Sequence, residues 1–66
     1  MNYSREQLID ALIGEYHAEE ADGMEMDMSV DEYRSHLETL TLEQLIKETS
    51  WDTEEEILDF IYAYDQ

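Results

Sequence analysis

Two segments of this 66-residue chain carry residue types that could do chemistry. One is Glu54-Glu55-Glu56 with Asp59 a turn further on; the other is the alternating Met24-Glu25-Met26-Asp27-Met28. Clustered carboxylates suggest a hard cation, and alternating thioethers a soft one. A calcium loop of the EF-hand type needs acids at its first, third and fifth positions, Gly at the sixth and Glu at the twelfth. Counting back from Gly23 puts Ala18 first and Ser29 twelfth, so that pattern fails. The methionines could hold Cu(I) with His17 or His36 nearby. They could equally fold over an apolar core from an acidic loop, or offer an adaptable contact strip to a partner. No dedicated metal site and no cofactor is expected.

Enzyme chemistry finds little support. Glu6 and Asp10 lie one helical turn apart and could imitate an acid–base pair, but no nucleophile, oxyanion donors or pocket-forming length accompany them. His17 and His36 are lone histidines, and a lone surface histidine ordinarily has no role. With no Cys there is no thiolate, no disulfide and no Cys-based zinc site. A non-enzymatic protein is expected.

Charge is the dominant feature. Nineteen Asp and Glu against three Lys and Arg give a net charge of -16. That balance opposes direct binding to nucleic acid or to an anionic membrane, both of which need a basic footprint. Apolar runs reach at most five residues, too short to cross a bilayer or to form a signal-peptide core. Part of the acid suits helix N-termini, but an ordinary exposed surface balances its acids with Lys and Arg. Duplex DNA carries one negative charge per about 1.7 Å of axis. A small helical body with a comparable field can occupy a groove where nucleic acid normally binds, with fast, salt-dependent association.

The expected role is therefore that of an inhibitor or modulator bound to a protein with a basic groove. The expected contacts are Glu54, Glu55, Glu56 and Asp59, with Asp22, Glu25, Asp27 and Met26 from the loop. Tyr3, Tyr62 and Tyr64 are the candidate aromatic anchors. The alternative is an adaptor, or a homodimeric structural domain, that binds through Met and Tyr. A monomer or weak homodimer is expected in either case.

Four local signals position these residues. Ser4-Arg-Glu-Gln7, Ser29-Val-Asp-Glu32, Thr41-Leu-Glu-Gln44 and Thr53-Glu-Glu-Glu56 all fit the capping box, in which a hydroxyl accepts from an unpaired N–H and the residue three on reaches back. Each precedes apolar residues at helical spacing. The first helix is predicted over about 5–20, with Leu8, Ile9, Leu12, Ile13 and Tyr16 on one stripe and Gly23 just past its end. Others are predicted at about 30–38, 42–49 and 54–64, with Trp51 plugging one end of the core. Leu, Ile, Val and Phe number 14 of 66, close to the roughly 20% below which chains stay disordered. Their periodicity and the aromatic residues favour folding. The expectation is all-α, a compact bundle of three to four short helices, with residues 1–66 forming a single acidic domain and an acidic, Met-rich loop at about 21–29.

Two resemblances follow. Thr41 to Phe60 resembles the helix-turn-helix of DNA-binding regulators, but the link is about a residue too long, and Glu54, Glu55, Glu56 and Asp59 stand where phosphate-contacting Lys and Arg belong. Arg5-Glu-Gln-Leu-Ile-Asp-Ala-Leu-Ile-Gly-Glu-Tyr16, Ser29-Val-Asp-Glu-Tyr33 and Leu42-Glu-Gln-Leu-Ile-Lys-Glu-Thr49 resemble short acidic proteins of tailed viruses of cyanobacteria. This second resemblance spans nearly the whole chain. It implies a virus-encoded protein acting in the cytoplasm of a bacterial host, with a host protein as the partner, and assigns no residue roles.

Overall fold

Ser4, Ser29, Thr41 and Thr53 each open a helix. The computed structural model describes residues 2–64. It contains α1 (Arg5–Ala21), α2 (Val30–Glu38), α3 (Leu42–Thr49) and α4 (Glu54–Tyr64), with no strand among the described residues. The first three capping boxes are complete: Ser4, Ser29 and Thr41 accept from the N–H groups of Gln7, Glu32 and Gln44, whose side chains reach back to the cap N–H groups. The fourth is a variant, in which Thr53 Oγ1 accepts from the Glu56 N–H at 3.2 Å and donates to the Glu56 carboxylate at 2.8 Å. Each cap contributes about 1 kcal/mol.

The helix ends are equally local in origin. Gly23, at φ 94°, lets the Gly23 N–H reach Glu20 O and the Met24 N–H reach Glu19 O, the double bond of a Schellman ending. Ser50 ends α3 in the left-handed region at φ 67°, a conformation that a side chain disfavours. The Thr49 hydroxyl donates to Ile46 O and accepts from the Trp51 N–H at 3.1 Å. This turn throws Trp51 outward.

Helix α1 is the hub: α2, α3 and α4 pack against it and touch one another only slightly. Leu8, Ile9, Ala11 and Leu12 are buried on α1, and at 100° per residue they cover an arc of about 160°. That is wider than the predicted stripe because three neighbours approach from different sides. Leu37, Leu45, Ile57, Phe60 and Ile61 complete the core, with Ile13, Tyr33, Leu40, Leu42, Ile46, Leu58 and Tyr64 packed around it. Full burial of a Leu or Ile contributes about 1.5–3 kcal/mol relative to exposure. The radius of gyration, 11.4 Å, is near the roughly 11 Å of a compact chain of this length.

Helices α1 and α4 run in the same direction. The Asn2 N–H donates to Glu54 Oε1 at 2.7 Å, just ahead of α1, and Gly14 lies against the backbone of Tyr64. The resemblance to a helix-turn-helix stops at the local signals, since α3 and α4 lie on α1 and not chiefly on each other.

Two aromatic expectations are corrected. Tyr3, expected as an exposed anchor, is 8% exposed and belongs to the core, because the chain before α1 folds under the start of α4. Trp51, expected to plug the core, is 42% exposed, because Ser50 turns it away.

Candidate functional site

The electrostatics begin with where three cations go. Arg5 Nη2 donates to the backbone carbonyls of Glu38, at 2.5 Å, and Leu40, at 2.8 Å, satisfying acceptors that the end of α2 leaves without helical partners. Arg34 Nη2 donates to Asp10 Oδ1 at 2.9 Å, and its Nη1 lies 3.6 Å from Glu6 Oε1. The hydrogen bond to Asp10 leads the effects that raise the Arg34 pKa. The Glu6–Asp10 pair that could imitate an acid–base couple is thus held by a guanidinium. Lys47 is exposed and forms no ion pair among the described residues. Two cations serve the fold, and most of the remaining carboxylates among the described residues face solvent with almost no compensation.

The predicted acidic contacts are exposed but divided. Glu54, Glu55, Glu56 and Asp59 line α4, while Asp22, Glu25 and Asp27 hang from the end of α1. Glu54 is tied beside the start of α1 through Asn2, and Asp22 caps its end. The 17 residues between them rise about 25 Å. Glu54 and the loop set thus lie toward opposite ends of α1, while Glu56 and Asp59 share a hollow with Glu15, seven residues before Asp22.

Around α4 the residues sort by face. Glu55, Asp59 and Tyr62 follow one another at i, i+4 and i+7 on the outer face, with Tyr62 74% exposed. Glu56, Phe60 and Ala63 repeat that spacing on the flank toward Trp51, and Asp59 is the member of the first row that borders them. Tyr64, expected as an exposed anchor, is half-buried against the core, its ring 5.2 Å from that of Phe60 and tilted by 57°. Its position is fixed by the close pass of α4 over Gly14.

Two hollows flank Ala63 and Tyr64. The larger, about 550 Å³, lies between Ile13, Gly14 and His17 of α1 and Arg34 of α2. Its only guanidinium is already engaged by Asp10 and Glu6. The smaller, about 420 Å³, is walled by Trp51, Phe60 and Tyr64, and carries the carboxylates of Glu15, Glu56 and Asp59. Glu15 lies one turn beyond Ala11 on the buried arc of α1, and is half-buried. Burial, then the neighbouring Glu19, pushes its carboxyl above the ordinary value.

The loop is clamped at its far end. Tyr16 stacks on Tyr33 with ring centres 4.2 Å apart and planes 20° apart, and its hydroxyl donates to the Met28 carbonyl. Burial first, then the charges of Glu48, Glu15 and Glu19 and the neighbouring Tyr16, raise the Tyr33 hydroxyl to about 12. Met24 is 56% exposed, while Met26 and Met28 are half-buried. No group of three or more His, Asp or Glu among the described residues is arranged to hold a metal ion. Among them, too, no helix is long and apolar enough to cross a membrane.

Trp51 and Glu15 are the residues that sequence reasoning missed. The signal for Trp51 was its setting: Ser50 before it, Asp52 and Thr53 after it, in a link with no apolar neighbour. For Glu15, it was the i+4 relation to Ala11, a small residue easily left out of a hydrophobic stripe. Compared with known proteins, the chain matches no family model, no curated protein and no solved structure.

Proposed function

We propose that this protein is a non-enzymatic inhibitor or modulator that occupies the basic, nucleic-acid-binding groove of a host protein. The observation that carries this reading is the internal use of the cations. Arg5 and Arg34 are engaged in holding α2 to α1, so the acid excess is turned outward, not neutralised. Sixteen net charges on a body 32 Å long are one per about 2 Å, close to the roughly 1.7 Å of duplex DNA. The resemblance to acidic proteins of cyanobacterial viruses supplies the setting: a virus-encoded protein in the cytoplasm of its host, with no direct contact to nucleic acid or membrane.

The test is competition. The immobilised protein is exposed to nuclease-treated cyanobacterial lysate and eluted in steps of salt. A nucleic-acid-handling protein that leaves sharply with salt, and is displaced by added DNA or RNA, is the expected result. A bound protein that resists salt and ignores nucleic acid refutes the reading.

The exposed Met24, Trp51 and Tyr62 favour a second reading, an adaptor or homodimer joined through apolar surface. Light scattering after size exclusion separates the two. A net charge of -16 per chain opposes self-association, so the first reading expects a monomer at low salt and the second a concentration-dependent dimer.

A further inference from the structure

The hollow beside Trp51 combines three things that an acidic surface alone does not have. It is concave, about 420 Å³, with the small side chain of Ala63 on the α4 flank leaving room between Trp51 and Glu15. Its walls are aromatic, and Trp51 is held at its edge by the Thr49 hydroxyl and the left-handed turn at Ser50. Its carboxylates come from two elements, Glu15 from α1 and Glu56 with Asp59 from α4, and none forms an ion pair among the described residues. The Glu56 carboxylate is oriented by the hydrogen bond from Thr53 Oγ1.

We propose that this hollow seats an arginine side chain of the basic partner, its guanidinium stacked on the Trp51 indole and hydrogen-bonded by Glu15, Glu56 and Asp59. A cation over an indole face is attracted by the ring quadrupole, most strongly where water is excluded. Arginine fits better than lysine for a geometric reason. A planar fork of five N–H groups can serve carboxylates on two sides while its face stays on the ring, and it is less strongly hydrated than an ammonium. Half-buried Glu15 is disfavoured as an anion in the free protein; a guanidinium relieves that by pairing it. The inference deepens the basic-groove reading and rests on it for the source of the arginine. It also supplies what a diffuse field lacks, a buried anchor that fixes orientation.

Trp51 is the chain's single tryptophan, so its emission reports on the hollow directly. The probe is the blocked pentapeptide acetyl-Gly-Ser-Arg-Ser-Gly-amide, titrated beside versions with lysine and with neutral citrulline. A saturable change with the arginine peptide is expected, at least threefold weaker binding of the lysine peptide, and none with citrulline. The doubly substituted protein Glu15→Gln/Asp59→Asn, checked for unchanged helicity, should bind the arginine peptide about tenfold more weakly. Equal binding of arginine and citrulline peptides, or unaltered affinity in the double variant, overturns the proposal.

The two levels fail separately. If nucleic acid displaces the captured host protein while the arginine peptide does not bind, the hollow is refuted and the groove reading stands. If the peptide binds while nucleic acid displaces nothing, the hollow stands and the groove reading is lost.

Discussion

Gly14 lies so near Tyr64 that a Cβ on it would stand 2.9 Å from the Tyr64 carbonyl oxygen and 3.1 Å from the Tyr64 Cβ. This contact sets how closely α4 passes over α1, and so places Ala63 and Tyr64 between the two hollows. Alanine in a helix ordinarily improves on glycine by about 1 kcal/mol. Here the added methyl meets backbone, which cannot rotate away. Gly14→Ala is therefore expected to destabilise by about 1–3 kcal/mol, read as a lower urea midpoint by circular dichroism. An unchanged or higher midpoint would mean that α4 does not make this approach in solution.

The response to pH follows from Glu15 and Tyr33. Both have folded values above their unfolded ones. For such a group the stabilising contribution is fully present below the unfolded value and is lost as pH rises through the folded one. For Glu15, whose ordinary value is 4.5, this means a loss of stability as pH climbs above that value. Glu15→Gln should be more stable than the parent at pH 7, and the two should converge as the pH falls toward 4.5. For Tyr33 the window is about pH 10 to 12. Tyr33→Phe should flatten the alkaline limb of a denaturation profile across that range. A parallel offset at every pH in either comparison would contradict the assignment.

The helices were legible because their signals are local. Three reciprocal capping boxes and the Schellman ending at Gly23 involve residues within six positions of each other, so their spacing could be read directly. Fold class and helix boundaries came with them. What stayed hidden is what depends on the meeting of distant elements. Tyr3 is buried because residue 2 meets residue 54, and Glu15 shares a hollow with Glu56 because α1 and α4 run in the same direction. Trp51 misled through its type: a large aromatic is read as core unless the turn before it is known, and Ser50 at positive φ has no distinctive sequence signature. The acidic contacts were found by composition, but composition could not divide them between α4 and the loop past the end of α1.

That division predicts unequal effects of charge reversal. The α4 set is continuous with the exposed Tyr62 and with Trp51, whereas the loop set lies past the end of α1, about 10 Å along the helix from Glu15 in the hollow. Reversing Glu55 and Asp59 to Lys should weaken binding to the captured host protein more than reversing Asp22 and Glu25, although the net charge changes equally. Both pairs should flatten the dependence of affinity on salt, since each removes long-range field. Affinity measured at two ionic strengths checks this. Equal losses from the two pairs at both ionic strengths would make the interaction one of net charge without an oriented face.

Removing a cation should likewise depend on which one goes. Arg5 and Lys47 each contribute one positive charge to a chain that has three Lys and Arg in all. A model of stability based on overall repulsion would rank their loss equally. Only Arg5 reaches across to another helix, where it donates to the carbonyls of Glu38 and Leu40 at the end of α2. Hydrogen bonds to a charged donor contribute about 1.5–3 kcal/mol, less where water can replace the donor. These acceptors are exposed, so Arg5→Ala is expected to cost about 1–2 kcal/mol and Lys47→Ala less than about 0.5 kcal/mol. Added salt should recover only the part of either loss that comes from repulsion. Urea unfolding at low and high salt therefore separates the two contributions. If salt restored Arg5→Ala fully, its tie to α2 would be worth nothing beyond its charge, and the internal use of the cations would lose its structural basis.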